Sequence, residues 1–98
     1  MEKLYKINDK DNVYVLKEPV LSGELIEIDG NPIRIPYDMG RGHKLAASKI
    51  QKGEKVIKFG MKIGSATKEI QLGEHVHLNN LKSDYLPTYS KDERFDNK

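Results

Sequence analysis

Apolar residues along this chain fall in short runs, each closed by glycine, proline, aspartate or asparagine, and no long stretch repeats every three or four positions. That is a β pattern. Asn12-Val13-Tyr14-Val15-Leu16 is rich in β-branched and aromatic residues and stops at Lys17-Glu18-Pro19. Glu24-Leu25-Ile26-Glu27-Ile28 and Pro32-Ile33-Arg34-Ile35 flank Asp29-Gly30-Asn31, and Asp-Gly readily takes the positive φ angles of a tight hairpin. Pro32 and Pro36 assign the second arm to a sheet edge, because proline donates nothing to a ladder. Residues 36–44 read as a loop, and residues 44–50 as at most about two helical turns. Lys55-Val56-Ile57-Lys58-Phe59, Met61-Lys62-Ile63-Gly64 and Glu74-His75-Val76-His77-Leu78 complete the strands.

A short internal repeat supports the same architecture. Ile50-Gln51-Lys52-Gly53-Glu54-Lys55-Val56 matches Ile70-Gln71-Leu72-Gly73-Glu74-His75-Val76 at five of seven positions, and Ser22-Gly23-Glu24-Leu25-Ile26 is a looser third copy. In each, a glycine turn feeds a strand. Units of this kind build an all-β domain of short ribbons. From Lys82 onward the character changes: Leu86, Tyr89 and Phe95 are scattered among polar residues, and residues 82–98 carry four acids and four bases. The reading is one domain over residues 1–82 and an extended, flexible tail over residues 83–98.

At 98 residues, with 37% hydrophobic residues and no Trp, the chain supports one modest core of Ile, Val and Leu. No apolar run approaches the ~20 residues that span a bilayer. The first six residues lack the apolar stretch of a signal peptide, so cytoplasm and no membrane are the default expectations. The absence of cysteine rules out disulfides and thiolate metal sites. A net charge of +2 gives no reason to expect nucleic acid, but residues 41–62 hold seven bases against Glu54, a local +6. Such a field suits an anionic ligand or acidic partner; a solvated strand face or a blunted sheet edge explains it as well.

Polar chemistry near neutral pH falls to three histidines. His75 and His77 are two apart, so on a strand they share a face while Val76 takes the other. His43 lies in the glycine-punctuated loop, which the fold can bring beside that strand. Two or three imidazoles with Asn79 or Asn80 fit a divalent metal with open positions, or an acid/base pair. A solvated His-x-His face is the plain alternative. Lys44 would hold a carboxylate as a point charge. The sequence contains no Gly-x-Ser-x-Gly, no phosphate-cradling glycine loop and no His-Glu-x-x-His.

Several motifs, in order, resemble the N-terminal domain of altronate and galactarate dehydratases. They are Gly42-His43-Lys44-Leu45-Ala46, then Lys52-Gly53-Glu54-Lys55-Val56-Ile57-Lys58-Phe59-Gly60, Ile63-Gly64 with Ala66-Thr67, Gly73-Glu74-His75-Val76-His77, and Asn80-Leu81. The similarity runs over roughly residues 5–82. It implies a SAF-type β-clip fold, in agreement with the all-β reading. It also implies a lyase system that eliminates water, or a related leaving group, from a sugar acid or other hydroxy-carboxylate. The complete enzymes use a divalent metal, iron or manganese. Some members, similar to sulfolactate sulfo-lyase, are free-standing small subunits beside a large catalytic subunit, and this chain looks like that kind. The resemblance makes His43 and His77 the catalytic candidates, and also the metal-ligand candidates. Lys44 and Asn80 become the substrate-binding ones, and Arg41, from the basic stretch, joins them as a candidate. One position departs: Asn79 stands where family members often carry a second histidine. The chain alone is expected to be inactive; an accessory module binding carbohydrate or an anion is the alternative. Oligomeric state and exact substrate are left open.

Overall fold

The structure is a computed structural model that describes residues 3–6 and 8–84. Among the described residues there is no helix, and nine short strands form three antiparallel sheets. The strands are β1 (Leu4–Tyr5), β2 (Val13–Leu16), β3 (Leu25–Ile28), β4 (Asn31–Arg34), β5 (Lys44–Ala46), β6 (Lys55–Lys58), β7 (Met61–Ala66), β8 (His75–Val76) and β9 (Leu81–Lys82). The largest sheet runs β1-β2-β5-β8; β3-β4 is a separate ribbon and β6-β7-β9 the third sheet.

The hairpin read around Asp29-Gly30 is present as β3-β4, with Asp29 and Gly30 both at positive φ (50° and 85°). Pro32 lies on β4, which is bonded only to β3 among the described residues, so its missing N–H breaks no second ladder. Residues 44–50 contain no helix. Lys44–Ala46 forms β5, bonded on one side to β2 and on the other to β8. Leu45 and Ala46 are buried in this central strand, and tertiary pairing overrides the helical preference of the Leu-Ala-Ala run.

The repeat is a structural unit, and it recurs more often than the sequence suggested. In Leu21-Ser22-Gly23-Glu24, the Glu24 N–H donates to the Leu21 carbonyl (3.0 Å) and the Leu21 N–H to Glu24 Oε1 (3.0 Å). Gln51 with Glu54, and Gln71 with Glu74, make the same two bonds. The glutamate thus closes its own turn. Gly73 illustrates why glycine precedes it: φ is +81°, and a Cβ there would sit 2.7 Å from Ile33. Residues flanking the turns are tied by bridges between Val20 and Met39 and between Ile50 and Ile70.

Two hydrophobic clusters lie on either side of the central sheet. Leu4, Leu16, Val20, Ile28, Ile35, Met39 and Leu45 form one; Val13, Ala46, Ile50, Val56, Ala66, Ile70 and Val76 form the other. Adjacent residues of β5 feed different clusters, Leu45 the first and Ala46 the second, as strand alternation requires.

Leu81–Lys82 pairs with β7, and Asp84 accepts from Lys55 Nζ (2.8 Å) and the Ser65 hydroxyl (2.8 Å). Those partners, Lys55 first, hold the Asp84 carboxyl below the usual carboxylate range. Residues 85–98, most of the expected tail, lie outside the described residues.

Candidate functional site

The register between β5 and β8 assembles the site. Lys44 lies opposite Val76 and Leu45 opposite His75, so continuing the antiparallel pairing by one step sets His43 against His77. Alternation then gives His43, Leu45, His75 and His77 one face, and Lys44 with Val76 the other. Three histidines distributed over 35 positions of sequence converge because two short strands pair in this one register.

Turn chemistry aims each ring. Gly40-Arg41-Gly42-His43 is a fourth copy of the repeated turn: the Gly42 N–H donates to Leu16, and the Leu16 N–H to His43. In the turn ending at Glu24, the Gly23 N–H donates to Ile35 and the Ile35 N–H to Glu24 in the same way. His43 therefore occupies the slot that Glu24, Glu54 and Glu74 fill with a turn-closing carboxylate. An imidazole there leaves the turn and joins the cluster. His77 opens a further turn, His77-Leu78-Asn79-Asn80. Its backbone N–H donates to Asn80 Oδ1 (2.9 Å), while Asn80 Nδ2 donates to the His75 carbonyl (2.9 Å). The strand expected over residues 74–78 is consequently only His75–Val76, since Asn80 curls the chain from His77 onward.

The cluster is tight. His43 Nδ1 and His75 Nε2 are 3.0 Å apart, and the other nitrogen of His75, Nδ1, is 2.7 Å from Tyr37 Oη. The His75 and His77 rings stack, with centroids 5.1 Å apart at 10°; His43 and His77 lie at 5.5 Å. One nitrogen from each of the three lies within 4.8 Å of the others. His43 and His75 are half-buried and His77 is exposed. Burial, then the neighbouring His43, His77 and Lys44 charges, push the His75 pKa down to about 4. Its ring is neutral at physiological pH. With neutral rings, the two bonds of His75 form together in either of two senses. Tyr37 donates to Nδ1 while Nε2–H donates to His43, or Nδ1–H donates to Tyr37 while Nε2 accepts from His43.

A groove of about 450 Å³ runs beside His75, lined also by Ile33, Arg34, Tyr37, Gln71 and Asn79. Asn79 thus borders the site through this groove. Lys44 is half-buried on the opposite face of β5, and burial followed by the nearby Lys58 charge lowers its pKa. Its charge reaches His75 through space. Arg41 is exposed in the turn before His43. Asn80 holds the turn that follows β8. It is fully buried, with its amide spent on the backbone of His75 and His77. Tyr37 escaped the sequence-based assignment, and His75 entered it only as one of two or three imidazoles. The signal for His75 was its parity with His77; Tyr37 carries no local signal, since only the fold brings residue 37 to residue 75.

A small all-β domain with this histidine-bearing ribbon is matched over residues 2–84 by the family described as the altronate/galactarate dehydratase SAF domain. The chain belongs to that family. It is 35% identical over 98 residues to an altronate dehydratase of Bacillus subtilis (strain 168), covering 98% of this chain and 20% of the relative. An altronate dehydratase of Escherichia coli (strain K12) is 38% identical over 78 residues, covering 80% of this chain and 16% of the relative. The (2R)-sulfolactate sulfo-lyase subunit alpha of Chromohalobacter salexigens is 45% identical over 42 residues, 43% of this chain and 45% of that subunit. The chain spans about a fifth or less of the two dehydratases. No helix of the described residues is long and apolar enough to cross a membrane.

Proposed function

We propose that this chain is the SAF unit of a lyase that eliminates water, or a related leaving group, from a hydroxy-carboxylate such as altronate or galactarate. It works beside a large catalytic unit on a separate chain. The observation that carries the reading is the convergence of His43, His75 and His77 beside an open groove, in a domain whose relatives include two altronate dehydratases and a sulfo-lyase subunit.

β-Elimination needs a base for the proton next to the carboxylate and an acid for the departing hydroxyl. His43 and His77 are the residues of this chain assigned to proton transfer. His77 is exposed, and His43 is half-buried against His75. Arg41 and the Lys44 charge supply a positive field for the carboxylate. A divalent metal, when bound, would stabilise the enediolate as a Lewis acid; were His43 and His77 to hold it, the proton transfers would fall to groups of the large unit instead, and a nitrogen donor set favours iron over manganese.

The test is reconstitution with the large unit and turnover of altronate, galactarate and sulfolactate. The chain alone is expected to be inactive. In the assembly, His43→Ala and His77→Ala are each expected to lower kcat by roughly 10²- to 10⁴-fold, the usual weight of acid–base catalysis. Full turnover with both histidines removed would instead assign the chain an accessory, ligand-binding role.

A further inference from the structure

We propose that His43, His75 and His77 together form a three-imidazole site for one divalent transition metal, complete within this chain, with Tyr37 as the positioning residue for His75. This deepens the preceding reading, and it rests on the same placement of the site.

The geometry carries it. Three imidazole nitrogens lie within 4.8 Å of one another. Around a tetrahedral ion with bonds of about 2.0–2.1 Å, ligand nitrogens stand about 3.4 Å apart. His43 Nδ1 and His75 Nε2, at 3.0 Å, already approach that separation. His77 is exposed and free to close the remainder by rotating its side chain. His75 lies on the paired strand β8, and His43 is the turn residue that leads directly into β5, held by the Leu16 N–H on its carbonyl, so both rings are anchored by backbone bonds.

Tyr37 explains the third ligand. A metal-bound histidine characteristically donates its other ring N–H to an oxygen, which fixes tautomer and orientation. His75 presents Nε2 to the cluster and Nδ1 to Tyr37 Oη at 2.7 Å, the arrangement that role requires. The donor set also selects the ion. Three neutral nitrogens with no carboxylate suit zinc, cobalt(II), nickel(II) or iron(II), and disfavour the oxygen-seeking magnesium, calcium and manganese. Three protein ligands leave a fourth position for water or a substrate oxygen, the pattern of a catalytic rather than a closed structural site. His75 and Tyr37 also line the neighbouring groove, so an oxygen ligand has a route in.

Cobalt(II) titration of the metal-free 98-residue chain tests this directly. One equivalent is expected to bind with the visible ligand-field bands of a four-coordinate ion, to be displaced by zinc, and to be unaffected by excess magnesium. His77→Ala, at an exposed position, is expected to keep the fold and weaken cobalt binding at least tenfold. His75→Ala should do the same. Tyr37→Phe is expected to retain one equivalent while shifting the cobalt spectrum and weakening binding by about 10- to 100-fold. No cobalt bands in the wild-type chain, or unchanged binding in folded His75→Ala, would overturn the site. Metal binding without turnover in the reconstituted assembly would instead overturn the lyase reading alone. Turnover by an assembly freed of metal would overturn the proposed metal role and leave the lyase reading standing.

Discussion

A single substitution within a repeated turn separates scaffold from site. Glu24, Glu54 and Glu74 spend their carboxylates on the backbone of their own turns; His43 stands in the fourth such slot and turns its ring to His75. At the residue scale the most telling group is His75, whose folded pKa is pushed to about 4 by burial and by its cationic neighbours. An unfolded histidine titrates near 6.5, so between those values the unfolded chain binds the extra proton. In the metal-free protein, stability is therefore expected to fall as pH drops from about 6.5 toward 4, with the His75 contribution flat below that. Urea unfolding at several pH values checks this: His75→Asn should flatten that part of the profile. An unchanged pH slope would show that His75 protonates freely in the folded chain.

At the scale of elements, the turns do more than connect strands. Asn80 ends β8 after two residues by accepting from the His77 N–H and donating to the His75 carbonyl. Removing that amide leaves two part-buried backbone groups, the His77 N–H and the His75 carbonyl, without this partner. Asn80→Ala is expected to cost about 2 kcal/mol or more, since each buried unsatisfied group carries roughly 1–3 kcal/mol. It should also uncouple His77 from His75, visible as altered imidazole resonances in NMR spectra. A loss confined to stability, with the ring resonances unmoved, would limit Asn80 to general packing. The close approach at Gly64 shows the same economy in β7, where a Cβ would overlap the Lys82 carbonyl oxygen of β9. The Asp-Gly hairpin and the Gly-Glu turns were readable in advance because their signals are local. β1, β5 and β9 were not, because two- and three-residue strands exist only through the partners that pair with them.

For the whole molecule, the central sheet is both the wall between two cores and the frame of the site. Leu45 is fully buried in the first cluster, lies opposite His75 and is flanked in register by His43. Leu45→Ala is expected to destabilise the fold by about 2–5 kcal/mol and to loosen the histidine cluster at the same time. Thermal unfolding and the cobalt titration, read together, check the coupling; intact cobalt binding in a destabilised variant would show that the cluster is held independently of this core.

The sequence alone determined the β character, the Asp-Gly hairpin and the turn-then-strand repeat, and it singled out His43 and His77 as candidates. Each rests on residue chemistry within a few positions: positive φ at glycine, alternation along a strand, the charge behaviour of imidazole. The tertiary structure decided the rest. It made residues 44–46 a central strand, drew Tyr37 to His75, buried Asn80 as a turn support, and turned Lys44 to the opposite face. It also made His75, one of a pair by spacing, the hinge of a three-ring cluster. Those outcomes depend on the register of β5 against β8, which is fixed by burial of Leu45 and Ala46 on two opposite sides of one sheet. Burial of that kind is a property of the packed molecule, so no local window of sequence contains it.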